Sequence, residues 1–175
     1  MTNAGAASVH ASAVLVENRA VLIRGPSGAG KSHLAFDLIL AGRAGQIPPA
    51  LLIGDDRVHL DAIQGQLVVR PARELAGLIE IRGLGIRRCD FAAEAVVGLV
   101  VDLCAADAER LPPPEALRAE ISGVIIPRIP VGIGYPALPL VIAALTMTAS
   151  SSSIRTSTDC SKGIGNHMSS TIATE

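Results

Sequence analysis

Gly25-Pro26-Ser27-Gly28-Ala29-Gly30-Lys31-Ser32 fits the spacing G-x-x-x-x-G-K-[ST] of a phosphate-binding loop. Glycines let a backbone curl until successive N–H groups point inward at phosphate oxygens. A helix that follows adds the positive end of its dipole. In such a loop Lys31 reaches the β- and γ-phosphates of a nucleotide, and the Ser32 hydroxyl ligates Mg²⁺. The flanks agree: Ala20–Ile23 reads as a buried strand and His33–Leu40 as the start of a helix. Strand, loop and helix in that order predict an α/β fold, a P-loop sheet of mixed strands with flanking helices.

Working outward, His10–Glu17 reads as a strand that turns at Asn18-Arg19 into Ala20–Ile23. The helix runs to about Ala41 and is closed by Gly42. Ala50–Ile53, Val58–Leu60, Leu67–Arg70 and Leu78–Arg82 read as short strands, with a turn at residues 63–66. Val96–Leu103 is a continuous apolar run that suits a central strand. Pro112–Pro114 precedes an expected helix over Glu115–Ile121. Val124–Ile126 is a strand candidate, Pro127–Pro139 an irregular stretch, and Leu140–Thr148 a final helix. A P-loop domain is expected to occupy residues 1–148. From 149 to 175 the composition shifts to Ser and Thr without hydrophobic periodicity, which predicts a disordered tail.

The chain has 175 residues and a formal net charge of −1. No basic field for nucleic acid is present, so no nucleic-acid partner is expected. Hydrophobic residues make up 49% and aromatics 2%, so the core must be Val, Ile, Leu and Ala, and stacking of single-stranded bases is disfavoured. No apolar run is long enough to span a bilayer and Met1–Val9 has no signal-type core, so the expected location is cytoplasmic, without a membrane partner. Cys89, Cys104 and Cys160 lack metal or disulfide spacing.

A P-loop specifies a nucleotide, not a reaction. Phosphoryl transfer also needs a carboxylate for Mg²⁺ and a group to orient or deprotonate the nucleophile. Asp55-Asp56 follows the apolar Leu51–Ile53, and Asp102 follows Leu99–Val101; spacing alone does not choose between them. Paired acids at a strand end can serve separate roles, one near metal and one near substrate. Asp102 reads as a strand-end cap for a following helix ahead of a metal ligand. Ile79-Glu80-Ile81-Arg82-Gly83-Leu84-Gly85-Ile86 is the second unusual stretch: Glu80 and Arg82 stand two residues apart on one expected strand face, and the glycines permit close approach to a ligand.

At these residues the chain resembles the HPr kinase/phosphorylase family, in its C-terminal catalytic domain and in the short, alphaproteobacterial-type form. Val9-His10, Gly25–Ser32, Ile53–Val58 and Leu78–Ile86 carry the resemblance in that order, and the last looks like the family signature. The resemblance implies an ATP-dependent protein-serine kinase. Its partner would be an HPr-like phosphocarrier of a phosphotransferase system, and family members assemble as homo-oligomers. It implies that Lys31 and the loop amides bind phosphates and that Ser32 and Glu80 ligate Mg²⁺, with Asp55 as the further metal-side carboxylate. It further implies that Asp56 takes the proton from the substrate serine, that His10 occupies the position of an active-site histidine, and that Arg82 supports the site. The chain departs from the pattern at His33, where the family is usually acidic. It departs again at Ile129–Gly134, which lacks the arginine of the segment linked to dephosphorylation, so kinase rather than phosphorylase activity is expected. The competing readings are a P-loop small-metabolite kinase and a non-catalytic nucleotide-sensing module.

Overall fold

The computed structural model describes residues 8–148. The expected tail lies outside them. The main sheet contains β1 (Ser8–Val9), β2 (Ser12–Val16), β3 (Arg19–Arg24), β4 (Ala50–Gly54), β5 (Val58–Ile63), β6 (Gln66–Pro71) and β9 (Ala95–Leu103) in the order β1-β5-β6-β9-β3-β2-β4. Between β6 and β9 lies a separate ribbon, β7 (Leu78–Ile81) with β8 (Gly85–Arg88). The hairpin β10 (Arg118–Ile121) and β11 (Val124–Val131) branches off β9, to which β11 pairs in parallel. Helices α1 (Lys31–Arg43) and α2 (Ala137–Thr146), with a short 3-10 turn at Arg73–Leu75, complete the elements of the described residues. This is the mixed α/β architecture expected.

Alternation along the central strands divides the core between the two faces of the sheet. Val14, Val16, Val21, Ile23, Leu99, Val101 and Leu103 pack with α1, α2 and Ile79 on one face. Ala13, Ala20, Leu22, Val97 and Val100 pack on the other with Leu67, Val69, Ala119 and Ile126 from the two hairpins. The β9 run is apolar on both faces because both are covered.

Several boundaries differ from expectation, each for a local reason. The first turn is Glu17-Asn18, with Val16 opposite Arg19 and Glu17 at φ 55. His10 lies in a bend between β1 and β2 rather than in a strand. Gly42 lies inside α1. The helix ends at Arg43 and is capped by Ala44, with Gly45 at φ 71 and the Gly45 and Gln46 amides donating to the Gly42 and Ala41 carbonyls. Gly42 is needed for packing instead: a Cβ there would stand 2.8 Å from the Ala50 backbone nitrogen. Gly42→Ala, which raises helix propensity by about 1 kcal/mol, is therefore expected to lower stability by about 1–3 kcal/mol through the overpacked contact. Urea unfolding checks the sign.

The expected helix over Glu115–Ile121 is a strand from Arg118 onward. Ser122-Gly123, at φ 52 and 77, makes the positive-φ two-residue loop that favours a hairpin, and the ladder with β11 overrides the helical pattern. The stretch expected to be irregular is extended as far as Val131. Past Pro127 the outer side of β11 has no strand partner, so the missing N–H of Pro130 costs no ladder bond. The second helix starts at Ala137, with Pro139 in its first turn, where an absent N–H is tolerated. No helix of the described residues is long and apolar enough to cross a membrane.

Candidate phosphotransfer site

The loop Gly25–Gly30 leaves β3 and enters α1 as its spelling predicts. Gly25, Gly28 and Gly30 stand at φ 150, 78 and 95, conformations that L side chains rarely adopt. A Cβ on Gly28 or Gly30 would meet no other atom within 4 Å, so neither glycine is required by a close packing contact. The Ala29 amide donates to the Pro26 carbonyl at 3.2 Å and the Leu34 amide to the Gly30 carbonyl at 2.9 Å, tightening the turn onto the helix. Lys31 is 6% exposed. Its ammonium donates to the Gly25 and Pro26 carbonyls, both at 3.0 Å, and pairs with no carboxylate of the described residues. A buried cation at a helix N-terminus with only carbonyl dipoles around it is a site that an anion completes.

The second half of the site is made by the way the sheet curls. β1 pairs with β5, while β2 pairs with β4. These pairs lie at opposite ends of the strand order. Chain continuity nevertheless joins them, β1 to β2 through His10-Ala11 and β4 to β5 through residues 55–57. Both crossovers therefore face each other, between the Val9–Val58 and Ala13–Gly54 pairings. That seam brings His10 Nε2 to 3.1 Å from Asp56 Oδ1, although the residues are far apart in sequence. Asp56 holds the left-handed region at φ 66 and remains more than half exposed, as does nearly half of His10. A carboxylate in this setting can accept a proton from a bound hydroxyl while the imidazole holds its orientation.

Asp55 points the other way. It is 4% exposed, accepts the Ser12 hydroxyl at 2.6 Å on Oδ1 and the Glu80 amide at 3.1 Å on Oδ2. It thereby ties the seam to β7 and sets the position of the exposed Glu80. Arg82 is not on the strand beside Glu80, as expected, but in the turn that closes the β7–β8 ribbon, because Gly83 and Gly85 at φ 87 and 77 reverse the chain. Ser32 lies half-buried in the first turn of α1, and His33 pairs with Asp37 one turn on, at 3.4 Å.

Asp102 is neither a helix cap nor a free ligand. The chain after β9 turns without forming a helix. Arg24 grips both oxygens of Asp102 from Nε and Nη2 at 2.7 Å each, and Arg128 Nε shares Oδ2. Arg128 in turn donates to Asp107 at 2.7 and 2.9 Å and to the Ala116 carbonyl at 2.8 Å. Burial pushes the Asp102 carboxyl up, but hydrogen bonds and charge from Arg24 and Arg128 outweigh it and hold it below the usual carboxylate range. Hydrogen bonding to Asp107 leads the causes that raise Arg128. This network sits at the root of the P-loop, since Arg24 is the residue before Gly25. Neither arginine was singled out from sequence, because each reads alone as an ordinary strand-end charge. Burial likewise raises the Cys89 thiol, consistent with a packing role.

A cavity of about 360 Å³ lies at the opposite end of β9, against Arg19, Leu67, Gly98 and Ile126, away from the loop and the seam. Among the described residues no group of three or more His, Cys, Asp or Glu side chains is preassembled as a metal cage. A hydroxyl such as that of Ser32 together with an exposed carboxylate such as that of Glu80 would suit Mg²⁺, which keeps several waters and is completed by substrate phosphates.

The HPr Serine kinase C-terminal domain family matches residues 2–148. A similar relative is the HPr kinase/phosphorylase of Enterococcus faecalis, 40% identical over 158 residues, covering 81% of this chain and 48% of that protein. The Clostridium beijerinckii HPr kinase/phosphorylase is 40% identical over 78 residues, 45% of this chain and 24% of that protein. The matches thus span half or less of these relatives' lengths. Among solved structures, the Hpr(Ser) kinase/phosphatase from Coxiella burnetii superposes with a TM-score of 0.62 at 28% identity, covering 79% of this chain and 93% of that one. A family match from residue 2 to residue 148, over the P-loop, the Asp55-Asp56 seam and the β7–β8 ribbon, shows that this chain belongs to the HPr serine kinase C-terminal domain family.

Proposed function

We propose that the chain is an ATP-dependent serine kinase acting on an HPr-like phosphocarrier protein. The observation that carries the reading is the placement of an unpaired, buried Lys31 ammonium in a glycine loop, in one chain with an exposed Asp56 carboxylate held by His10. The loop amides and Lys31 bind the β- and γ-phosphates; binding replaces the Gly25 and Pro26 carbonyls with phosphate oxygens around the ammonium. Ser32 and Glu80 hold Mg²⁺, which when bound neutralises charge on the transferred group. Asp55, already accepting two hydrogen bonds, serves this pair by fixing Glu80 rather than by ligating metal itself. Asp56 accepts the proton of the substrate serine, a poor nucleophile until a placed carboxylate takes it. His10 keeps Asp56 aimed, and Arg82 supports the acceptor side from the ribbon turn.

The test is transfer of label from γ-labelled ATP, with Mg²⁺, to a serine of the carrier. Label on the carrier supports the reading. Nucleotide binding without label on the carrier overturns it, and label on a small hydroxylated metabolite in the same assay replaces it with the metabolite-kinase reading. Lys31→Ala is expected to weaken nucleotide binding by about two orders of magnitude, measured by titration with a fluorescent ATP analogue.

A further inference from the structure

Ser12 puts a hydroxyl where the strand pattern calls for an apolar side chain. It opens β2 and shares a face with Val14 and Val16, both of which pack in the core with α1. Its neighbours Ala11 and Ala13 are buried on the other face. Ser12 itself is fully buried, and opposite it in the β2–β3 ladder stands the fully buried Ile23. A hydroxyl removed from water in such a place is costly unless it is hydrogen-bonded. Its partner is the Asp55 carboxylate, to which it donates at 2.6 Å, the length of a bond to a charged acceptor. The other oxygen of that carboxylate accepts the Glu80 amide at 3.1 Å. Asp55, itself buried, is thus held between a strand hydroxyl and a ribbon amide, one on each oxygen.

Resting on the kinase reading above, in which Glu80 holds Mg²⁺ with Ser32, we infer that Ser12 is a positioning residue for the metal side of the site. It fixes Asp55, and Asp55 fixes the backbone from which Glu80 projects. The Glu80 side chain is exposed, so no packing of its own holds it. Its strand is anchored by Ile79 in the core and by the bond from the Glu80 amide to Asp55. With that amide alone, the Asp55 carboxylate is free to turn about its last bond; the Ser12 hydroxyl on the second oxygen removes that freedom. The β1–β2 crossover therefore addresses the two acids separately: His10 bonds Asp56 on the base side, and Ser12, two residues on, bonds Asp55 on the metal side. A residue that only filled the core would do so better as Val or Ala, since neither brings a polar group that must be paired.

The experiment measures how far Mg²⁺ tightens the binding of a fluorescent, non-hydrolysable ATP analogue to the full chain. Wild type, Ser12→Ala, Asp55→Asn and the double variant are compared at a temperature where circular dichroism shows them folded. Ser12→Ala removes one atom and adds no bulk, so it is expected to fold; where Asp55→Asn does not, Ser12→Ala alone decides. In Ser12→Ala the metal-free affinity is expected to stay at the wild-type value, while the tightening by Mg²⁺ shrinks about tenfold. The double variant is expected to lose no more than Asp55→Asn alone, because Ser12 acts through that carboxylate. An unchanged tightening in Ser12→Ala overturns the inference. So does an equal loss of metal-free and metal-supported affinity, which marks a merely structural role, or losses that add in the double variant. If Mg²⁺ does not tighten binding to the wild type, the assignment of Ser32 and Glu80 to the metal falls and this inference with it. Failure of the wild type to label the carrier overturns the kinase reading but leaves the binding result standing.

Discussion

Asp56→Asn is expected to abolish carrier phosphorylation, lowering the rate of phosphotransfer by about 10²–10⁴-fold, while nucleotide binding and the fold persist. The choice of asparagine matters. Asp56 sits at φ 66, where Asn is tolerated nearly as well as Asp and most other residues are strained. The amide has the same shape and its oxygen can still accept from His10 Nε2 at the 3.1 Å separation seen here. What it lacks is the capacity to take a proton. Loss of rate in a well-folded, nucleotide-bound variant is therefore a statement about proton transfer and not about structure. Rapid-quench single-turnover labelling of the carrier, beside an ATP titration of the same preparation, separates the two. Equal loss of nucleotide affinity would place Asp56 in the nucleotide site, and an unaffected rate would remove it from catalysis. His10→Ala should cost less, since it frees the carboxylate to rotate without removing it.

The halves of this site were legible in the sequence to different degrees. The P-loop is local: its glycines, lysine and serine are contiguous, and the strand and helix around it follow from apolar runs a few residues long. The seam is not local. His10 and Asp56 meet because β1 and β5 pair at one end of the strand order while β2 and β4 pair at the other. No periodicity within either segment contains that information, and only the resemblance at Val9-His10 and Asp55-Asp56 suggested it. Asp102 shows the opposite failure. An acid after an apolar strand reads as a cap or a metal ligand, and the arginines that occupy it come from positions 24 and 128. Glu115–Ile121 reads as a helix because its pattern follows prolines, but the cross-strand partner β11, reached through the Ser122-Gly123 loop, makes it a strand from Arg118.

Asp102→Ala is expected to be the most destabilising single change near the site. Removing one partner of a largely buried ion pair leaves the others uncompensated, at a cost of about 3–5 kcal/mol when burial is complete. Here Arg128 is 13% exposed but Arg24 is 35% exposed, so solvent takes up part of the loss and about 2–4 kcal/mol is expected, a fall of roughly 10 °C in melting temperature. The difference should depend on pH with a definite sign. The Asp102 carboxyl is held below its usual range in the folded chain, so its contribution is fully present above the unfolded value of about 3.9 and is lost as pH falls through the folded one. Wild type and variant should therefore converge on acidification, which melts recorded from neutral pH downward will show. Nucleotide affinity should fall as well. Gly25 packs so closely on the end of β9 that a Cβ would meet the Leu103 carbonyl at 3.0 Å. Any relaxation of the Arg24–Asp102 rung beneath it moves the first residue of the P-loop, and with it the carbonyls that hold Lys31. Asp102→Asn, which keeps the shape and half the acceptors but not the charge, should lie between the two. If it binds nucleotide as weakly as Asp102→Ala, the charge rather than the hydrogen bonds sets the loop.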